Sequence, residues 1–103
     1  MEKLQRLKLH QELLDLSGLP CYFQPPENLK MEYPCIVYEK DGIHQTNADN
    51  RWYLGKDRYT LKLIHRDPDT ELPDKLLKYF QYISYGQRYK ADNLYHDTLT
   101  IYY

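Results

Sequence analysis

Leu4, Leu7, Leu13 and Leu14 recur at roughly helical spacing, with Lys3, Arg6, Gln11 and Glu12 between them. The spacing predicts an amphipathic helix over residues 2–17, its apolar stripe widened by Leu9 and Leu16. Ser17-Gly18 supplies a helix stop and Pro20 bars continuation, so the apolar stretch Cys21 to Phe23 reads as a short first strand. Pro25-Pro26 and Pro34 bracket a stiff loop in which Leu29 and Met31 are expected to tuck against the body while Glu27, Asn28 and Lys30 face water. Cys35-Ile36-Val37-Tyr38 begins a second strand, and Asp41-Gly42 is a turn signal. The HQTNADNR that follows is polar and without periodicity, long enough to project as a loop or hairpin arm.

Alternation returns between Trp52 and Arg66. Tyr59, Leu61, Leu63 and His65 fall on one face and Thr60, Lys62, Ile64 and Arg66 on the other, as a half-buried strand requires. Asp67-Pro68-Asp69-Thr70 closes that strand and is expected to cap a second helix, with Pro73 tolerated in its first turn and Leu72, Leu76, Leu77 and Phe80 as its buried stripe. Two more strands follow, near Ser84 to Lys90 and Tyr95 to Tyr102, joined by the polar turn Ala91-Asp92-Asn93. The order helix, strand, strand, strand, helix, strand, strand predicts one α+β domain over residues 1–103. Its sheet should be mainly antiparallel, with two helices on one face and a projecting arm.

Composition sharpens the picture. Twelve tyrosines in 103 residues suggest a protein that works through its surfaces, since tyrosine joins a large ring to a polar tip at low entropic cost. A net charge of −1, from 14 basic and 15 acidic residues, gives no global field to concentrate nucleic acid or anionic membrane. The opening MEKLQRLKLHQELLDL has charges throughout, so neither a signal peptide nor a membrane span is expected, and a cytoplasmic location follows. Cys21 and Cys35 are too few for a disulfide scaffold and read as small buried hydrophobes, a bridge between them being the lesser alternative.

Catalytic and ligand-binding patterns are sparse. His10, His44, His65 and His96 lack the spacing of a zinc site, and Asp67, Asp69 and Glu71 lack the glycine and distal glutamate of a calcium loop. No phosphate-binding glycine loop or nucleophile elbow occurs, so neither an enzyme nor a cofactor-dependent protein is expected. Arg51-Trp52, Lys56, Arg58 and Arg88 interleave with aromatics as in single-strand nucleic-acid platforms, which strand periodicity explains as well. The tyrosines sort by face: Tyr59 and Tyr103 inward, Tyr38 and Tyr102 on a face needing a neighbour, Tyr53 at the root of the arm. That second face should be an exposed apolar patch for a partner or a second copy.

The segments YPCIVYEKDGIH, RYTLKLIHRDPDTELPDKLLK and YKADNLYHDTLTIYY resemble the small tail-terminator, or tail-completion, proteins of long-tailed phages and prophages, also described as minor capsid proteins. The resemblance runs from about Leu19 to Tyr103. It implies a non-enzymatic ring, commonly a hexamer, on the head-proximal end of the tail tube, assembled in the host cytoplasm and retained in the neck of the virion. Its partners would be further copies of itself, the tail tube protein and the head-tail connector protein, with no membrane and no nucleic acid. Interface residues expected from pattern are His44, Asn47, Asp49, Arg51 and Trp52 in the arm, with Tyr38, Lys62, Arg66 and Tyr102 on the strands. A head-tail joining component at a neighbouring seam is the alternative, and a small nucleic-acid-binding module an alternative of another class.

Overall fold

The computed structural model describes residues 2–42 and 56–103. Helix α1 spans Glu2–Ser17 and strand β1 Cys21–Phe23; β2 is Cys35–Gly42 and β3 Arg58–His65; α2 is Leu72–Tyr79; β4 is Ile83–Ala91 and β5 Leu94–Tyr102. The strands form one sheet in the order β1-β2-β3-β5-β4. Among the described strands the β1–β2 pair is parallel and the other pairs are antiparallel. This is the α+β arrangement expected from the order of elements.

Local chemistry sets the boundaries. α1 ends because Gly18 adopts φ +69°, a left-handed cap that lets its N–H reach Leu14 O at 2.8 Å. The Ser17 hydroxyl donates to Leu13 O and accepts from Leu19 N. Between β4 and β5, Asp92 and Asn93 both have positive φ, 54° and 63°, the backbone a two-residue hairpin turn demands. Asp67 accepts from Asp69 N in a side-chain turn that closes β3. It does not cap α2 as expected: the cap residue Glu71 makes no side-chain capping bond, and Thr70 Oγ1 only reaches Leu72 N at 3.3 Å.

Register places Ile36, Tyr38, Leu61, Leu63, Leu99 and Ile101 on one face of the sheet, and Leu9 and Leu13 of α1 with Leu76 and Phe80 at α2 bury them in the main core. Both helices therefore cover the same face. Two expectations fail here. Leu4 and Leu7 stand exposed, because on a helix turning about 100° per residue they lie opposite Leu9, Leu13 and Leu16. Leu29 is also exposed, whereas Met31 does pack inward.

The outer face is less bare than expected. Cys35, Ile64 and Leu94 form a second small core there, with Tyr22, Met31 and Val37 packed against it. The Tyr22 hydroxyl accepts from Glu32 N. The chain between β1 and β2 thus covers the apolar part of this face, and the neighbouring positions are largely polar.

Candidate functional site

The end of the outer face where β2 and β3 approach the segment 43–55 gathers the most elaborate exposed polar geometry. The β2–β3 register shifts between Lys40 and Gly42, a bulge that leaves Asp41 unpaired and re-aims its side chain. Its carboxylate accepts from Arg58 Nε at 2.9 Å and from the Thr60 hydroxyl, while Arg58 Nη2 also reaches Asp41 O at 3.1 Å. On the other side of the hairpin base, buried Asp57 pairs with Lys40 Nζ at 3.3 Å. Its backbone exchanges hydrogen bonds with Tyr103, N–H to O at 3.2 Å and O from N–H at 3.0 Å. Both chain ends leading into 43–55 are thereby clamped. Tyr102 stands opposite Arg58 in the ladder and its hydroxyl helps raise the Arg58 pKa, after the larger contribution of Asp41.

Away from that base the outer face is a band of short polar side chains. Thr60 lies opposite Thr100, and Lys62 opposite Thr98. A shallow depression of about 190 Å³ lies over Val37, Glu39, Thr60 and Lys62, bordered by Gln24 and Pro25.

The expected interface residues scatter. His44, Asn47, Asp49, Arg51 and Trp52 lie outside the described residues, as does Tyr53. Lys62 and Tyr102 share the outer face, both half-buried. Arg66 is exposed beyond the end of β3, where it lines a groove of about 850 Å³ between the end of α1, α2 and β3. Tyr38 is the correction. It pairs with Leu61 on the inner face, is 1% exposed, and packs against Phe23 and Tyr59. Its hydroxyl lies 2.7 Å from His10 Nδ1. Strand alternation separated Tyr38 from Val37, but which of the two met the helices depended on where α1 docked.

A second constellation escaped the sequence reading because its members come from separate elements. Asp97, fully buried on β5, accepts from Arg88 Nε at 2.7 Å and Nη2 at 3.0 Å, from His65 Nε2 at 2.7 Å, and from the Tyr85 hydroxyl. Burial pushes the Asp97 pKa up, but the bonds from Arg88, Tyr85 and His65 together outweigh it and hold the carboxyl at about 2. Arg88 also donates to Pro68 O at 2.8 Å, and His65 Nδ1 accepts from Asp67 N at 3.2 Å. That bond places the neutral ring's proton on Nε2. With both ring nitrogens committed, His65 has none to offer a substrate, and the cluster serves to tie β3, β4, β5 and the 67–70 turn together. Its one advance sign was an aspartate at an inward strand position, where a carboxylate needs partners.

Among the described residues no group of three or more His, Cys, Asp or Glu is placed to hold a metal ion. None of the described helices is long and apolar enough to cross a membrane. No protein-family model, curated protein or solved structure matches the chain.

Proposed function

We propose that this chain is a structural, non-enzymatic phage virion component that closes as a ring on the head-proximal end of a tail tube and offers the head connector a docking surface. The observation that carries the reading is the clamped base of segment 43–55 beside the open outer face. Asp41 held by Arg58 and Thr60, and Asp57 held by Lys40 and Tyr103, hold in place the two strand ends that flank that segment. Strand ends already fixed in the free subunit need not be ordered again on assembly. A closed ring needs two different patches per subunit, and the segment with its base, set against the outer face of the next copy, supplies such a pair.

Polymerisation would stop because the ring buries the contacts of a growing tube end without recreating them on its far side. Among the described residues, the basic side chains of the nucleic-acid alternative are engaged within the chain: Arg88 with Asp97, Arg58 with Asp41, and Lys56 over the Tyr82 ring. Mass photometry of the protein with tube protein is the test, and ring-sized species attached to tube ends are expected. A monomer that leaves tube ends growing would sink the reading, and capture by connector protein alone would move it to the neighbouring head-tail seam.

A further inference from the structure

α1 carries two apolar stripes where a surface helix needs one. Leu9, Leu13 and Leu16 face the sheet, Leu9 and Leu13 at 0% exposure. Leu4, Leu7, Gln11 and Leu14 fall within about 80° of one another on the opposite side, at the 3,4,3 spacing of a seam made for a second helix. Leu4 is 67% and Leu7 45% exposed. Gln11 is exposed and donates to Asp15 at 2.9 Å. Leucine favours the helix itself wherever it stands, but Leu4 and Leu7 lie outside the main core, and only Leu14 of the stripe is half-buried.

We propose that this outer stripe is a self-association surface whose occupant is the same stripe of a second copy, lying antiparallel. Charge selects both the occupant and its direction. The first half of α1 carries Lys3, Arg6 and Lys8 against Glu2, a net +2, and the second carries Glu12 and Asp15, a net −2, with no basic residue in the last turn; Arg6 lies over the Phe23 ring and Glu12 accepts from the Tyr103 hydroxyl, so Asp15 is the acidic charge nearest the stripe. Parallel copies would set like ends together. Antiparallel copies set the basic half against the acidic half and oppose the two helix dipoles. The same reversal stacks Leu4 on Leu14 of the second copy and Leu7 on its Gln11, so a two-fold axis closes the contact. One polar residue in the seam discriminates between registers, as buried amides do in paired helices.

Sixteen residues give a seam of about 24 Å, which belongs to the small end of specific interfaces. The pair is therefore a concentration-dependent dimer. It is separate from the proposed ring, which rests on the outer sheet face and the base of 43–55, and it joins two subunits or two rings back to back through their helices.

Sedimentation equilibrium of the full chain from micromolar to near-millimolar concentration tests the inference. The expected result is a monomer–dimer equilibrium that Leu4→Gln/Leu7→Gln weakens at least tenfold while the thermal midpoint at concentrations where both chains are monomeric is unchanged. A nitroxide on Asp15→Cys should report label positions offset by about 18 Å along the helix axis, against near-contact for a parallel pair. A chain monomeric at every concentration, association that the double variant leaves intact, or a short label distance would each overturn it. Binding of the double variant to tube ends reports on the ring independently, so either reading can fail alone.

Discussion

Asp97 keeps its negative charge inside the fold because Arg88, His65 and Tyr85 replace the water it loses. Truncation by Asp97→Ala strands those donors and should cost on the order of 3 kcal/mol, read as a lowered urea midpoint with an unchanged slope. The sign of the pH dependence follows from the direction of the shift. The folded carboxyl titrates at about 2 and the ordinary value is 3.8, so the contribution is fully present above about pH 4. It is lost as pH falls from there through 2, and amounts to roughly 2 kcal/mol. Urea melts at pH 5 and pH 2.5 should therefore differ more for the natural chain than for Asp97→Asn. His10 behaves in a related way: burial, aided by Arg6, lowers its pKa, so the ring that meets the Tyr38 hydroxyl favours its neutral form.

Between β4 and β5 the turn decides the register, since Asp92 and Asn93 bear the strain of positive φ. Asn93→Val should lose about 1–2 kcal/mol because a branched side chain is unsuited to the left-handed region, while Asn93→Gly should hold or raise the thermal midpoint. Gly86 is needed for a different reason. A Cβ there would sit 2.6 Å from Thr98 Oγ1 and 3.1 Å from Thr98 O, where the β4 register shifts. Gly86→Ala should lower the midpoint of thermal unfolding. Elements of this kind were legible in the sequence: period-two alternation marked β3 and β5, and Gly18, Asp92 and Asn93 marked the stops. α1 was legible as a helix but misread in orientation, since leucines on two sides of one cylinder look like a single wide stripe when counted along the chain. The outer face was legible only as a pattern of side chains, because which tyrosines meet solvent depends on how β1 to β5 assemble.

At the scale of the whole molecule, the proposed assembly would draw on a surface that folding does not use. Tyr59, 1% exposed in the main core, should lose about 3–5 kcal/mol on truncation to alanine. Tyr102, on the outer face beside the clamped base, should lose less stability and more ring formation; loss of both properties in equal measure from the two variants would contradict the division. The same division bears on the two thiols. Cys21 belongs to the helix-covered face and Cys35 to the opposite one, so the thickness of the sheet lies between them and a bridge would have to pass through it. Burial pushes each thiol up to about 11, which leaves almost no thiolate at neutral pH. Fully buried Cys35 can therefore serve as a built-in clock, its alkylation rate measuring how often the chain between β1 and β2 lifts from the outer face; half-buried Cys21 on the other face is its reference, and a ring seated on the outer face would slow the first thiol without touching the second.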